Sequence, residues 1–303
     1  MSKPKLICVV GPTAVGKTVV AIQLAKALNT EIVSADSRQF YKELEIGTAK
    51  PSTEELDQAP HHFINNLSIH DSYNVGQYEK EAIERLNTIF TKHNNAVLVG
   101  GSGLFVDAIC NGLDEFPEIS QGVRISLKNE LDQKGLGVLQ EELKEKDLAY
   151  YQIVDLKNPQ RVLRALEVIR GTGQTFTEFR KKEPKHRDFE VIRIGLSMDR
   201  EKLYHRIDTR MDQMISQGLF EEAERFQSLS ELNALQTVGY REVYGFLDGT
   251  YDKTEAIRLL KRNSRRYAKR QLTWFKKDPK TTWFEPEKVD DILTFIISSI
   301  KTV

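Results

Sequence analysis

A chain of 303 residues carrying 44 basic and 44 acidic side chains has no net charge, so the total neither selects nor excludes a polyanionic partner and only its distribution is informative. The length suffices for one sizeable core with a smaller elaboration. Cys8 and Cys110, the only cysteines, each lie in an apolar context, which excludes a disulfide framework and a thiolate zinc site, and neither a secretory signal nor a membrane span of ~18–20 apolar residues is visible, so a cytoplasmic protein is expected.

KLICVV, residues 5–10, is a nearly continuous apolar run ending at glycine, the pattern of a strand buried on both faces. TVVAIQLAKAL then has apolar residues at helical spacing and stops near Asn29. EIVSAD (31–36) and AVLVGG (96–101) read as further strands, with the helix-periodic stretch YEKEAIERLNTIFTKH between them. Strand, helix, strand, helix, strand predicts an α/β fold with a parallel sheet flanked by helices. From about residue 117 strands give way to charged amphipathic stretches such as RISLKNELDQKG and GVLQEELKEKD. VIRIGLSM (191–198) predicts a return to the sheet, and the chain from EKLYHRIDTRMDQM through RLLKRNSRRYAKRQLTWFKK is helical in pattern, with a turn at FLDGTYD. Residues 1–116 are therefore expected to form the first part of the core and 117–188 a helical insertion. Residues 189–303 would complete the core and carry basic C-terminal helices.

Between the first strand and helix, Gly11, Pro12, Thr13, Ala14, Val15, Gly16, Lys17 and Thr18 match G-x-x-x-x-G-K-[ST]. The glycines let the backbone curl so that N–H groups point inward, Lys17 adds a point charge, the following helix presents its positive end, and Thr18 supplies a hydroxyl for a magnesium ion. The expected architecture is therefore P-loop NTPase-like, with a diphosphate or triphosphate in the loop. Hydrolysis or phosphoryl transfer would need a further acid near the metal, commonly at a neighbouring strand end. AVLVGG instead runs into Gly100, Gly101 and Ser102, with no carboxylate before Asp107. EIVSAD does deliver Asp36 to the C-terminal edge of the sheet, where open α/β sheets place ligands. There it could hold magnesium, accept a proton or cap the next turn.

Charge is unevenly spread. From Arg258 to Lys277 lie Arg262, Arg265, Arg266, Lys269 and Arg270 among others, interleaved with Tyr267, Trp274 and Phe275. Such a run suits RNA phosphates and stacking, or equally a solvated helix face. Arg180, Lys181, Lys182, Lys185 and Arg187 read as a solvated linker. Arg161 and Arg164 share a helix face that could meet phosphates or pair with Glu167. His61 and His62, adjacent on an extended segment, point to opposite sides and make a poor metal pair.

The blocks Asp36-Ser37-Arg38-Gln39-Phe40-Tyr41, Ile46-Gly47-Thr48-Ala49-Lys50-Pro51, VGGSGLF, NPQRVLRALE and Val238-Gly239-Tyr240-Arg241, with GPTAVGKT, together resemble the bacterial tRNA dimethylallyltransferases over residues 5 to about 285. The resemblance implies transfer of a dimethylallyl group from dimethylallyl diphosphate to the exocyclic amine of the adenosine just 3′ of the anticodon, with magnesium as cofactor. The loop would cradle the donor's diphosphate. Asp36 would be the general base, and Arg206 or Arg210, four apart, would approach the leaving group. The same resemblance assigns tRNA contacts to Asp36, Ser37, Arg38, Gln39, Ser102, Gln160, Arg161, Val162, Leu163, Arg164, Gly239, Tyr240 and Arg241. Arg124, Arg265, Arg266 and Arg270 are further candidates. Ser102 replaces the threonine common in the family but keeps its hydroxyl. The expected partners are the tRNA anticodon stem–loop and the prenyl donor, with no membrane, and the protein is expected to be a monomer. Alternatives are a nucleotide or small-metabolite kinase with an inserted lid, an adenylate isopentenyltransferase acting on free nucleotide, and a non-catalytic RNA-binding module with a vestigial loop.

Overall fold

Strand β1 (Lys5–Val10) is buried along its whole length, with Leu6, Cys8 and Val10 in one half of the core and Ile7 and Val9 in the other. A strand whose two faces both pack reads as an unbroken apolar run, and each fully buried Val, Leu or Ile contributes ~1.5–3 kcal/mol. The computed structural model describes residues 3–181 and 183–301; Lys182, part of the basic linker read from the sequence, lies outside them.

The first half of the chain gives α1 (Lys17–Ala27), β2 (Ile32–Ser34), α2 (Thr53–Leu56), β3 (His61–His62), α3 (Val75–Phe90), β4 (Asn95–Gly100) and α4 (Gly103–Asn111). Next come α5 (Gln121–Lys134), α6 (Leu136–Lys146), α7 (Leu148–Tyr151), α8 (Pro159–Thr172) and α9 (Phe176–Phe179). The chain then returns through β5 (Glu190–Leu196), α10 (Arg200–Ser216), α11 (Leu219–Arg225), α12 (Tyr240–Leu247), α13 (Lys253–Phe275), β6 (Thr282–Phe284) and α14 (Val289–Lys301).

The described strands form a six-stranded sheet in the order β3-β2-β4-β1-β5-β6, and every pairing is parallel. This is the expected α/β sheet, flanked by helices, with β1 between β4 and β5. Both edge strands escape the sequence reading. β3 is only His61–His62, whose rings accept local duties: His61 Nδ1 lies 2.7 Å from the Ala59 carbonyl and His62 Nε2 2.5 Å from the Glu31 carboxylate. β6 is the three-residue TWF segment against β5.

The chain divides into two compact units. One contains the sheet, from the N-terminal segment to Cys110 and again from Arg187 onward. It has a core on each sheet face and a third cluster built by α10 to α13 around Leu219, Leu235, Tyr240 and Leu260. The other runs from Asn111 to His186 and packs α5 to α9 around Leu127, Leu139, Leu143, Val162 and Leu166. The change of composition read at 117 lies within this unit. Its buried Asp147 caps α7 through the Tyr150 amide at 2.9 Å and also accepts from the amide and hydroxyl of Thr177, at 2.8 and 2.7 Å, tying α7 to α9.

Candidate active site

The loop after β1 owes its shape to backbone positions few residues tolerate. Gly11 has φ +150, and a Cβ there would sit 2.7 Å from the Leu196 carbonyl. Gly16, at φ +105, caps α1. Between them Ala14 is held at φ 64, a conformation that costs a residue with a Cβ roughly 1–2 kcal/mol and clusters at ligand-binding turns. Val15 turns its side chain into the core, so only its backbone is available to a ligand.

Lys17 Nζ donates to the Pro12 carbonyl at 2.8 Å. Enclosure in the loop lowers its pKa to about 8, opposed by the Asp36 carboxylate and assisted by the neighbouring Arg210 charge. Not every loop amide points into free space. The Thr13 N–H donates to Gln271 Oε1 at 2.8 Å, and Gln271 Nε2 donates to the Gly101 carbonyl at 2.9 Å.

Two arginines of α10, Arg206 and Arg210, reach this loop. Arg210 donates to Thr13 Oγ1 and to the Ala49 carbonyl, each at 3.3 Å, and burial lowers its pKa against the pull of Asp36. The Arg206 guanidinium comes within 3.7 Å of where a Gly16 Cβ would lie and within 3.9 Å of Glu287. One cation thus sits deep beside the loop and the other at its rim.

Asp36 follows β2 at the sheet's C-terminal edge, and one carboxylate oxygen accepts the Arg38 amide at 3.1 Å. With Thr18, Lys17, Arg206 and Arg210 it lines a cavity of about 1060 Å³. A second cavity, of about 810 Å³, is lined by Ser37, Arg38, Ser102, Arg241, Arg266, Arg270 and Trp274. Tyr267 and Gln271 line both. Burial, then the Asp36 charge, pushes the Tyr267 hydroxyl up to about 12, so it remains a proton donor beside Asp36 at neutral pH. Ser102 accepts the Ser37 amide and donates to the Ser37 hydroxyl, both at 3.1 Å, which fixes the segment after Asp36 to the end of β4. Asp107, the nearest acid beyond β4, is taken up by the Trp274 indole N–H at 2.8 Å, and burial raises its pKa.

The basic run on α13 divides by face. Arg258 pairs with Glu255, Lys261 with Asp212, and Arg265 makes two 2.6 Å bonds to Asp208. Arg266 and Arg270 are exposed and line the second cavity. Within the inserted unit, Arg124 and Arg164 both pair with Glu167, the latter at 2.9 Å, and the Arg164 guanidinium lies 5.2 Å from the centre of the Phe116 ring. Gln160 and Arg161 are exposed and Leu163 is half-buried.

Two residues expected at the RNA have other work. Val162 is fully buried in the core of its unit. Tyr240 is likewise buried, and its hydroxyl donates to Glu222 at 2.6 Å. Glu222 also accepts the amides of Glu45, Ile46 and Gly47 at 2.8–2.9 Å, so the block around Gly47 and the block around Tyr240 meet on one buried carboxylate. A Cβ at Gly47 would lie 2.6 Å from the Tyr240 ring, which explains the glycine. Gln39, half-buried, donates to the Ala49 carbonyl at 3.1 Å and lines the larger cavity. Gly239 caps α12 at φ +111, and Arg241 alone of its block is exposed at the second cavity.

Gln271 and Glu222 have no local signature in the sequence, because their partners lie far away in the chain. Tyr267 is visible there only as an aromatic of the basic run, not as a neighbour of Asp36.

A family model described as IPP transferase matches residues 39–278. The chain is 51% identical over 296 residues to a tRNA dimethylallyltransferase of Cytophaga hutchinsonii, covering 98% of this chain and 97% of that protein. It is 46% identical over 301 residues to tRNA dimethylallyltransferase 1 of Bacteroides fragilis, covering 99% and 100%. Among solved structures, the tRNA isopentenylpyrophosphate transferase of Bacillus halodurans superposes with a TM-score of 0.73 at 38% identity, covering 98% of this chain and 96% of that one. A eukaryotic dimethylallyltransferase acting on tRNA superposes with a TM-score of 0.75 at 26% identity, covering 90% and 70%. By sequence along nearly its whole length and by fold, the chain belongs to the IPP transferase family.

Proposed function

We propose that this protein transfers a dimethylallyl group from dimethylallyl diphosphate to the exocyclic amine of an adenosine in the tRNA anticodon loop, 3′ of the anticodon. Family membership and relatives named tRNA dimethylallyltransferase support the activity. The observation that carries the reading is the placement of Asp36. Its carboxylate lines the cavity of the phosphate loop, while Ser37 and Arg38 line the adjoining arginine-rich cavity. A donor and a polyanionic acceptor can thus approach one base from two sides.

In this reading the donor's diphosphate lies on the loop amides left free and against Lys17, Arg206 and Arg210. Fixed positive charge there stabilises the negative charge that builds on the leaving oxygen. The acceptor amine attacks the allylic carbon as the carbon–oxygen bond to diphosphate breaks. Asp36 takes the proton that the amine loses, and the carbon–nitrogen bond replaces the carbon–oxygen bond. Tyr267 and Gln271 form the wall common to both cavities and keep Asp36 and the loop in register.

Magnesium, in this reading, enters with the diphosphate. Thr18 offers a hydroxyl beside the loop, one of the hard oxygen donors that magnesium takes. When bound it supplies charge neutralisation at the departing diphosphate.

A kinase reading is disfavoured by the same site, because the end of β4 presents Gly100, Gly101 and Ser102 in place of an acid and Asp107 is engaged by Trp274. Among the described residues no helix is long and apolar enough to cross a membrane. Diphosphate release tests the proposal: it is expected with dimethylallyl diphosphate only when an unmodified anticodon stem–loop is present. Release of inorganic phosphate from ATP, with none from the prenyl donor, would overturn it.

A further inference from the structure

Trp274 is an aromatic side chain held in place but not put away. Its indole N–H donates to Asp107 Oδ2 at 2.8 Å, and its ring packs directly on Gly103, where a methyl group would lie 2.4–2.6 Å from Cδ1, Nε1 and Cγ. Lys277 Nζ lies 5.8 Å from the ring centre. Despite these restraints the residue remains 36% exposed and, with the exposed Leu104, lines the second cavity.

The charge around it identifies the occupant. Arg38, Arg241, Arg266 and Arg270 line the same cavity, and among the described residues none of them pairs with a carboxylate. The one acid of the lining, Glu242, is consumed by the Gly239 amide at 2.8 Å and by Asn263 Nδ2 at 2.7 Å. A rigid aromatic face beside uncompensated guanidinium groups is the chemistry that binds an unstacked nucleobase with its flanking phosphates.

We infer that Trp274 stacks on a loop base adjoining the target adenosine and holds the strand open while that adenosine enters the site. The inference rests on the tRNA-acceptor reading above. It makes Trp274 a positioning residue: it touches the RNA beside the reacting base, and its pinning by Asp107 and Gly103 lowers the entropic cost of the stack.

The protein has only two tryptophans, Trp274 and Trp283, so Trp283→Phe leaves a single reporter. In that background the emission of Trp274 is expected to be quenched on titration with an unmodified anticodon stem–loop. Replacing one particular base flanking the target adenosine by an abasic sugar should abolish the quench. Separately, Trp274→Ala should raise the KM for the stem–loop by roughly 5- to 150-fold, the range that one base–aromatic stack is worth, and leave the KM for dimethylallyl diphosphate unchanged. Trp274→Phe should restore most of the loss. Emission indifferent to a stem–loop that is nevertheless prenylated would overturn the inference and leave the function intact. A stem–loop that the wild-type protein does not prenylate at all would overturn the function itself.

Discussion

Gln271 accepts a hydrogen bond from the Thr13 amide at 2.8 Å, and through its other end, 2.9 Å from the Gly101 carbonyl, joins the phosphate loop to the end of β4. The link comes from α13, the same helix that turns Arg266, Arg270 and Trp274 toward the second cavity, so one helix braces the phosphate loop and lines that cavity with cations. Gln271→Ala would leave the buried Gly101 carbonyl unpaired, at ~1–3 kcal/mol, and release the half-buried Thr13 amide to the cavity. The expected result is a Tm lower by roughly 2–6 °C and a fall in kcat/KM for both substrates together. A variant that loses affinity for only one substrate would show that the bridge serves one cavity alone.

Asp36→Ala should reduce kcat by ~10²–10⁴-fold, the usual worth of a positioned base. Stem–loop affinity should stay near the wild-type value, because the surrounding cations remain. Transfer at the wild-type rate by the purified variant would remove Asp36 from the chemistry.

Only part of the α13 basic run should matter for RNA. Arg266→Ala with Arg270→Ala is expected to weaken stem–loop binding and to reduce the slope of log affinity against log salt by about 1.4, two contacts at ~0.7 each. Arg265→Ala should instead lower stability while changing the slope little, since its charge is already satisfied by Asp208. An equal change of slope for Arg265 would show that the Asp208 pair opens on binding.

The lowered pKa of Lys17 gives a pH signature. Its ordinary value of 10.5 falls to about 8 on enclosure in the loop. The unfolded chain therefore binds more protons than the folded one between these values, and stability of the ligand-free protein rises with pH across that window. Donor binding runs the other way, because diphosphate favours the charged ammonium. The Kd for dimethylallyl diphosphate should thus weaken above pH about 8, by up to about tenfold per unit. Calorimetry in buffers of different ionisation enthalpy should show proton uptake on binding, and Lys17→Arg should remove it.

Much of this was legible in the chain. β1, the loop and Asp36 are each written in consecutive residues, since a strand buried on both faces and a phosphate-binding turn have local signatures. The edge strands were not: two histidines and the TWF segment are too short and too half-exposed to show a period. The basic run on α13 was visible as charge, but its split into a salt-bridged face and a free one depends on Asp208 and Asp212 of α10. Tyr240 and Val162 stand in blocks that resemblance links to tRNA, yet burial shows them supporting neighbours, Arg241 in the second cavity and Arg161 on the unit's surface. A block of sequence can serve a site while only some of its side chains face it.

The most direct measurement is nucleoside mass spectrometry of an unmodified anticodon stem–loop incubated with the protein, magnesium and dimethylallyl diphosphate, beside a reaction containing ATP alone. The expected result is the gain of one five-carbon prenyl group on a single adenosine 3′ of the anticodon, and none in the ATP reaction. Unchanged nucleosides, with ATP consumed in the parallel tube, would contradict prenyl transfer and make the loop a nucleotide site.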